Sequence, residues 1–415
     1  MDDLWLHVLY RLQPRELIQL ETVSTRWRGL ITEVFRKRNH LNPERDFPGC
    51  FSEPEAMRQV IERHSPALTS IEISVKPKTE RFMVCASEYH LTRKVLRQIN
   101  STARRLKRLK IERMNLTVSA VEEIASLPCC LRELSIINCS LSCDSPEICV
   151  LAQNSFRTLF QRCHQLQKFE IVWRGYCFEH FELTDELLSH LPDSVEELNI
   201  SAGNSLRITT LEFLERKRLR SFALQRSFIS ATDLKYLLPM ASSLQSLDLT
   251  SCINILDVSL IGNLYNLRHL WLGNIREGVH DLGLLSILTG CQLLESLCIE
   301  NLPQLTEKSL CGLGSLKHLK KLEAAGISQL NDQSCNVLAR SRKLEYLDIK
   351  FCRMVTASSL RLILTLPSLN HLEILGIPAF SPVLLKEFDR IPLKIVCDNY
   401  TPLCPLALPK IPVPA

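Results

Sequence analysis

Cys129, Cys139, Cys143, Cys149 and the pair Cys163-His164 are the residues of this chain whose types could do metal chemistry. Thiolate sulfur and imidazole nitrogen are the ligands of tetrahedral zinc, so a structural zinc site is the chemistry to weigh first. Such sites usually draw two ligands from one C-x-x-C turn, and none of the 17 cysteines is spaced that way. That favours the other reading, in which the cysteines are small buried hydrophobes. H-E-x-x-H, G-x-x-x-x-G-K and G-x-S-x-G are all missing, and Gly312-Leu-Gly314 lacks the third glycine of a dinucleotide fingerprint. The expectation is a chain that is not an enzyme and needs no metal or cofactor.

Composition bounds the rest. Of 415 residues, 46% are apolar and 23% charged, which excludes a disordered chain. A net charge of +5 is too mild to imply a nucleic-acid partner, so that class is unlikely on charge alone. Met1-Asp2-Asp3 offers no basic leader segment, and no run of about 18 apolar residues could span a membrane. A cytoplasmic or nuclear location with reduced thiols is expected.

The elements that position any site come from a repeat. Leu244-Gln-Ser-Leu247-Asp-Leu249 returns as Leu267-Arg-His-Leu270-Trp-Leu272 and as Leu294-Glu-Ser-Leu297-Cys-Ile299. Further copies start at Leu319, Leu344 and Leu369, and upstream ones at Leu68, Leu106, Leu131, Leu166, Val195 and Leu219. Apolar residues at the fourth and sixth positions alternate with polar ones, as in a half-buried strand. Helix-like stretches lie between the copies, for example 232–238, with Thr232 as the expected N-cap. One strand–helix unit cannot bury its own apolar face, so the copies must stack. The pattern resembles the leucine-rich repeat family over roughly 65–400. The resemblance implies an α/β solenoid, a horseshoe with parallel concave strands and outer helices. Cys139, Cys252 and Cys352, nine residues into their copies, look like the structural cysteine of one class of these repeats. Long steps after Leu68 and Leu131 predict loop insertions near 76–93 and 142–155.

The third, fifth and seventh positions of each copy should face outward. The fifth-position column reads Asp248, Trp271, Cys298, Glu323, Asp348, Glu373. With Tyr346 and Trp271 as aromatic anchors, this acidic ladder suits a basic protein segment. A merely solvated face is the competing reading. Upstream, nine basic residues between Arg93 and Arg113 meet only Glu112 locally. Arg108 and Lys110 among them would face outward and could hold an anion such as a phosphorylated degron.

Residues 1–42 do not fit the repeat. Leu4, Trp5, Val8, Leu9 and Leu12 follow helical spacing, Pro14 suits the first turn of a second helix, and Trp27, Leu30, Ile31 and Val34 line a third. Asp3-Leu4, the Leu12-x-Pro14 corner and Val23-x-x-x-Trp27 resemble an F-box, a small three-helix domain. The family's leading Leu-Pro would precede Asp2, so the resemblance implies an F-box shortened at its N-terminus. An F-box followed by leucine-rich repeats resembles the substrate receptors of SCF ubiquitin ligases. That resemblance implies that Leu4, Leu12, Pro14, Leu17, Val23 and Trp27 dock on Skp1, and through it on Cullin-1 and a RING subunit, while the concave face recruits a protein for ubiquitination. A scaffold or inhibitor whose N-terminal helices merely cap the repeats is the alternative. The expected organisation is F-box 1–42, linker or cap 43–64, about 12 repeats over 65–400, and a Pro-rich tail 401–415.

Overall fold

A computed structural model describes residues 2–47, 54–64, 67–74, 90–141, 146–172, 182–201, 206–379 and 394–397. The chain divides into two units, Met1–Asn254 and Ile255–Ala415. Each is built on a parallel sheet with helices or 3-10 turns between successive strands.

Every expected repeat start yields a strand two residues on. In the first unit these are Ser70–Ser74, Arg108–Glu112, Glu133–Ile137, Lys168–Val172, Glu197–Ser201, Ser221–Leu224 and Ser246–Asp248. In the second they are His269–Trp271, Ser296–Cys298, Lys321–Glu323, Tyr346–Asp348 and His371–Glu373. The register is constant, with His269, Ser296, Lys321, Tyr346 and His371 aligned side by side. Leucines at the first, fourth and sixth positions are buried throughout, and their continuous stacking is the core of each unit.

Among the described residues, two strands paired with the repeat strands lie outside the expected copies. His40–Leu41 pairs with Ser70 and Ile71, and Lys394–Val396 pairs with the strand His371–Glu373. The first described strand therefore lies at residue 40, ahead of the expected copies, and within the expected linker or cap 43–64 stands a helix. This helix, Pro54–His64, buries Met57 and Ile61 and packs on the helix Arg93–Thr102. The first strand was missed because two residues carry no detectable alternation.

The insertion expected at 142–155 is mostly helix Pro146–Arg162, whose Phe156 and Phe160 meet Phe169 of the next strand. A helix of 17 residues accounts for much of the longer step. Residues 75–89 and the tail 401–415 lie outside the described residues. Thr232 is not the cap of its segment. Ser230 caps a 3-10 helix, Ala231–Met240, through a reciprocal box with Asp233.

Wherever it is among the described residues, the eighth repeat residue takes a left-handed conformation, as at Asn274, Asn301, Phe351, Gly326 and Gly376. A Cβ at Gly376 would run into the Phe351 ring, so glycine meets both demands there. The ninth-position thiols then donate backward to the preceding repeat: Cys252 Sγ to the Leu224 carbonyl at 2.9 Å, Cys352 Sγ to Ala324 at 3.2 Å and Cys139 Sγ to Ile111 at 3.5 Å. Burial pushes the Cys139 and Cys352 thiols up to about 12, so they stay protonated donors. At pH ~8, iodoacetamide is expected to label exposed Cys129 in the native protein and Cys139, Cys252 and Cys352 only after unfolding, read by peptide mass spectrometry. Rapid native labelling of Cys352 would refute this role.

Candidate functional site

Three short helices stand at the N-terminus: α1 (Asp2–Leu9), α2 (Pro14–Glu21) and α3 (Thr25–Lys37). Gln13 and Glu16 form a reciprocal cap for α2, with Pro14 at its first position, and Ser24 Oγ caps α3 by accepting from the Trp27 amide at 3.2 Å. Leu6, Leu9, Leu17, Ile31, Val34 and Phe35 form the core, with Leu12 and Trp27 partly buried against it. Trp5 meets Trp27 edge-on at 5.1 Å between centroids. Helix α3 also packs on the helix Pro54–His64 behind it.

This placement corrects two expected contact residues. Leu17 is fully buried and Pro14 is buried, so they hold the helices together and present nothing to a visitor. The cause is geometric: Pro14 opens α2 on its inner side, and Leu17 lies one turn on. Leu4, Val8 and Val23 are instead 73%, 50% and 63% exposed, and Trp5 is 42% exposed. Leu4 and Val8 are one turn apart on α1 and contribute nothing to the core.

The outward face of the second unit carries Trp271, Glu323, Tyr346, Asp348 and Glu373, as the alternation requires, but not as a bare acidic ladder. Lys350 ties Asp348 at 2.9 Å and Glu373 at 2.7 Å, and Lys321 ties Glu323 at 2.8 Å. Tyr346 Oη donates to Glu373 at 2.6 Å, and the Tyr346 ring stacks on His371 with centroids 4.6 Å apart. Trp271 stacks on His269. Asp348 is only 2% exposed, so it cannot reach a partner's side chain. Burial would raise Glu373, but hydrogen bonds from Lys350, Tyr346 and His371 outweigh it and hold the carboxyl at about 2. Burial, then the charges of Asp348 and Glu323, push Glu300 up; it is the carboxylate of this face with no ion pair among the described residues. Asp248, in the first unit, accepts from the Thr250 amide at 2.9 Å, from the Thr250 hydroxyl and from Gln225. Lys350 and Lys321 hold outward positions of their repeats, and their pairing with these carboxylates was not foreseen. They lie two positions after, or two before, their carboxylates on the same strand face, and that spacing was visible in the repeats.

Glu373 gives this unit a pH dependence of fixed sign. Its carboxyl ionises near 2 when folded and near 4.5 otherwise, so its contribution is complete above pH 4.5 and is lost as pH falls toward 2. Glu295, held at about 2 by Lys320 and then Arg268, acts in the same window. The urea midpoint is expected to fall between pH ~5 and ~2.5, with a smaller fall in Glu373→Gln. An equal fall in the variant would refute the assignment.

The expected anion site at Arg108 and Lys110 is half cancelled. Lys110 Nζ lies 2.9 Å from both Glu72 and Glu112, and Arg93 and Arg97 share Glu123. Counting charges along the chain missed Glu72 and Glu123 because they belong to neighbouring repeats. Arg108 stays exposed.

Comparison with known proteins follows this geometry. A chain of the yeast Rad7–Elc1 complex superposes with a TM-score of 0.57 at 16% identity, covering 95% of this chain and 94% of that one. An internalin from Listeria monocytogenes gives 0.51 at 14% identity, covering 83% and 89%. The fold is a leucine-rich-repeat fold. In sequence, a Caenorhabditis elegans protein named as a candidate RNA-binding protein is 26% identical over 115 residues, 27% of this chain and 16% of that protein. No protein-family model matches the chain. Among the described residues no helix is long and apolar enough to cross a membrane.

Proposed function

We propose that this protein is a non-catalytic substrate-recognition subunit of an SCF-type ubiquitin ligase. Its N-terminal helices bind Skp1, and through it Cullin-1 and a RING subunit, while the outward face of the repeats binds a protein substrate. The observation that carries the reading is the set of exposed apolar side chains Leu4, Trp5, Val8 and Val23 on a bundle whose own core is already filled. The F-box spacing around them supports the choice of partner. The Rad7 neighbour, solved as a complex with Elc1, supports a partner-bound role for this fold. Such a receptor supplies no bond chemistry; it raises the effective concentration of a substrate lysine near a charged ubiquitin-conjugating enzyme.

Packing of α3 on the helix Pro54–His64 favours a second reading, in which the three helices only cap the repeats. Mixing the purified chain with Skp1 and separating by size exclusion decides between them. Stable co-elution supports the ligase reading, and separate elution at micromolar concentration refutes it.

A further inference from the structure

Four cations on the second unit are each neutralised by a carboxylate. Arg268 and Lys320 share Glu295, Lys321 takes Glu323, and Lys350 takes Asp348 and Glu373. Lys317, Arg340, Arg342 and Lys343 are not among them, and they gather at one place. All four are exposed, and no ion pair among the described residues includes any of them. They come from the turns that precede the strands Lys321–Glu323 and Tyr346–Asp348, and they line one hollow of about 300 Å³ with Gly314 and Ser341. Neither a carboxylate nor an aromatic ring lines it. Lys343 Nζ lies 3.5 Å from His318 Nδ1, which adds a further basic group beside it. Gly314 is required there, because a Cβ would run into Val337 of the following helix.

Four like charges around one small space repel each other, and an anion in that space relieves the repulsion. A phosphate monoester carries about −1.5 to −2 charges at pH 7 and three acceptor oxygens, which two guanidinium forks and two ammonium groups match. The volume is at the small end for ligand pockets, room for a phosphoryl group and a few attached atoms. Single-stranded nucleic acid is a poorer fit, since no aromatic side chain offers a base a stacking surface. We propose that this hollow binds a phosphate monoester, supplied by a phosphorylated serine or threonine of a protein partner. The peptide source rests on the protein-binding reading above; the phosphate chemistry does not.

Calorimetry on the full chain tests it, with a Gly-Ala-phosphoserine-Ala-Gly peptide, its unphosphorylated form, inorganic phosphate and a single-stranded RNA as probes. The phosphopeptide is expected to bind and the unphosphorylated form not to. Arg340→Gln with Arg342→Gln is expected to weaken binding at least about tenfold, with the urea midpoint and Skp1 co-elution unchanged. Absence of phosphopeptide binding at millimolar concentration, or unchanged binding by the double variant, would overturn the site. Inorganic phosphate binding as tightly as the phosphopeptide overturns the peptide source. RNA binding through the same arginines, with no phosphopeptide binding, overturns it in favour of nucleic acid. Failure here with Skp1 co-elution intact sinks this site alone, whereas loss of Skp1 co-elution with phosphopeptide bound sinks only the ligase reading.

Discussion

Leu4→Asp with Val8→Asp is expected to abolish co-elution with Skp1, weakening association by more than about 100-fold, without lowering the urea midpoint. Leu4 is mostly and Val8 half in solvent, and both lie outside the bundle core, so the folded chain loses little burial when they are charged. A docked partner would bury two unpaired carboxylates, which is the origin of the large effect. Leu17→Ala is the contrasting variant. It removes a fully buried side chain from a small core and is expected to cost about 2–5 kcal/mol of bundle stability. It would weaken Skp1 binding only as far as α1–α3 unfold. Retention of Skp1 by the double aspartate variant would show that α1 is not the docking helix.

Asp332→Ala is expected to destabilise the second unit by about 2–4 kcal/mol, seen as a lower urea midpoint with little change in slope. Asp332 accepts from the Thr356 amide at 3.0 Å, from the Thr356 hydroxyl at 2.8 Å and from the Ser359 hydroxyl. Ser359 is 1% exposed, so the alanine deprives a buried hydroxyl of its carboxylate acceptor. The same clip occurs one pair of repeats earlier, where Asp281 accepts from the Thr306 amide and from the Thr306 and Ser309 hydroxyls. Burial opposes ionisation of Asp332, but the bonds from Ser359 and Thr356 outweigh it and hold the carboxyl below its usual range. Each clip joins the start of one helix to the start of the next, so it fixes the spacing of the outer layer. Asp332→Asn, which keeps one acceptor oxygen, is expected to lose less. A midpoint for Asp332→Ala within experimental error of the parent would show that the clip contributes nothing.

The leucine spacing by itself determined the strands, their parallel order and the outward columns, because each repeat carries its own complete alternation and stacks only on its neighbours. The same spacing put a cysteine at the ninth position of three copies, and the family resemblance implied that it is structural. The helical spacing and the Pro14 signal predicted three helices within residues 1–42, and the structure forms them over 2–37. What only the tertiary structure decided were the partners across repeats. Glu72 for Lys110, Glu123 for Arg93 and Arg97, and Glu373 for Lys350 stand one repeat away in the chain but a hydrogen bond away in space. Local counting therefore gave an acidic ladder and a basic run where the fold pairs most of the charges. Leu17 and Leu4 are both leucines at helical spacing expected at the docking surface, and only the packing of the three helices buries Leu17 and leaves Leu4 in water.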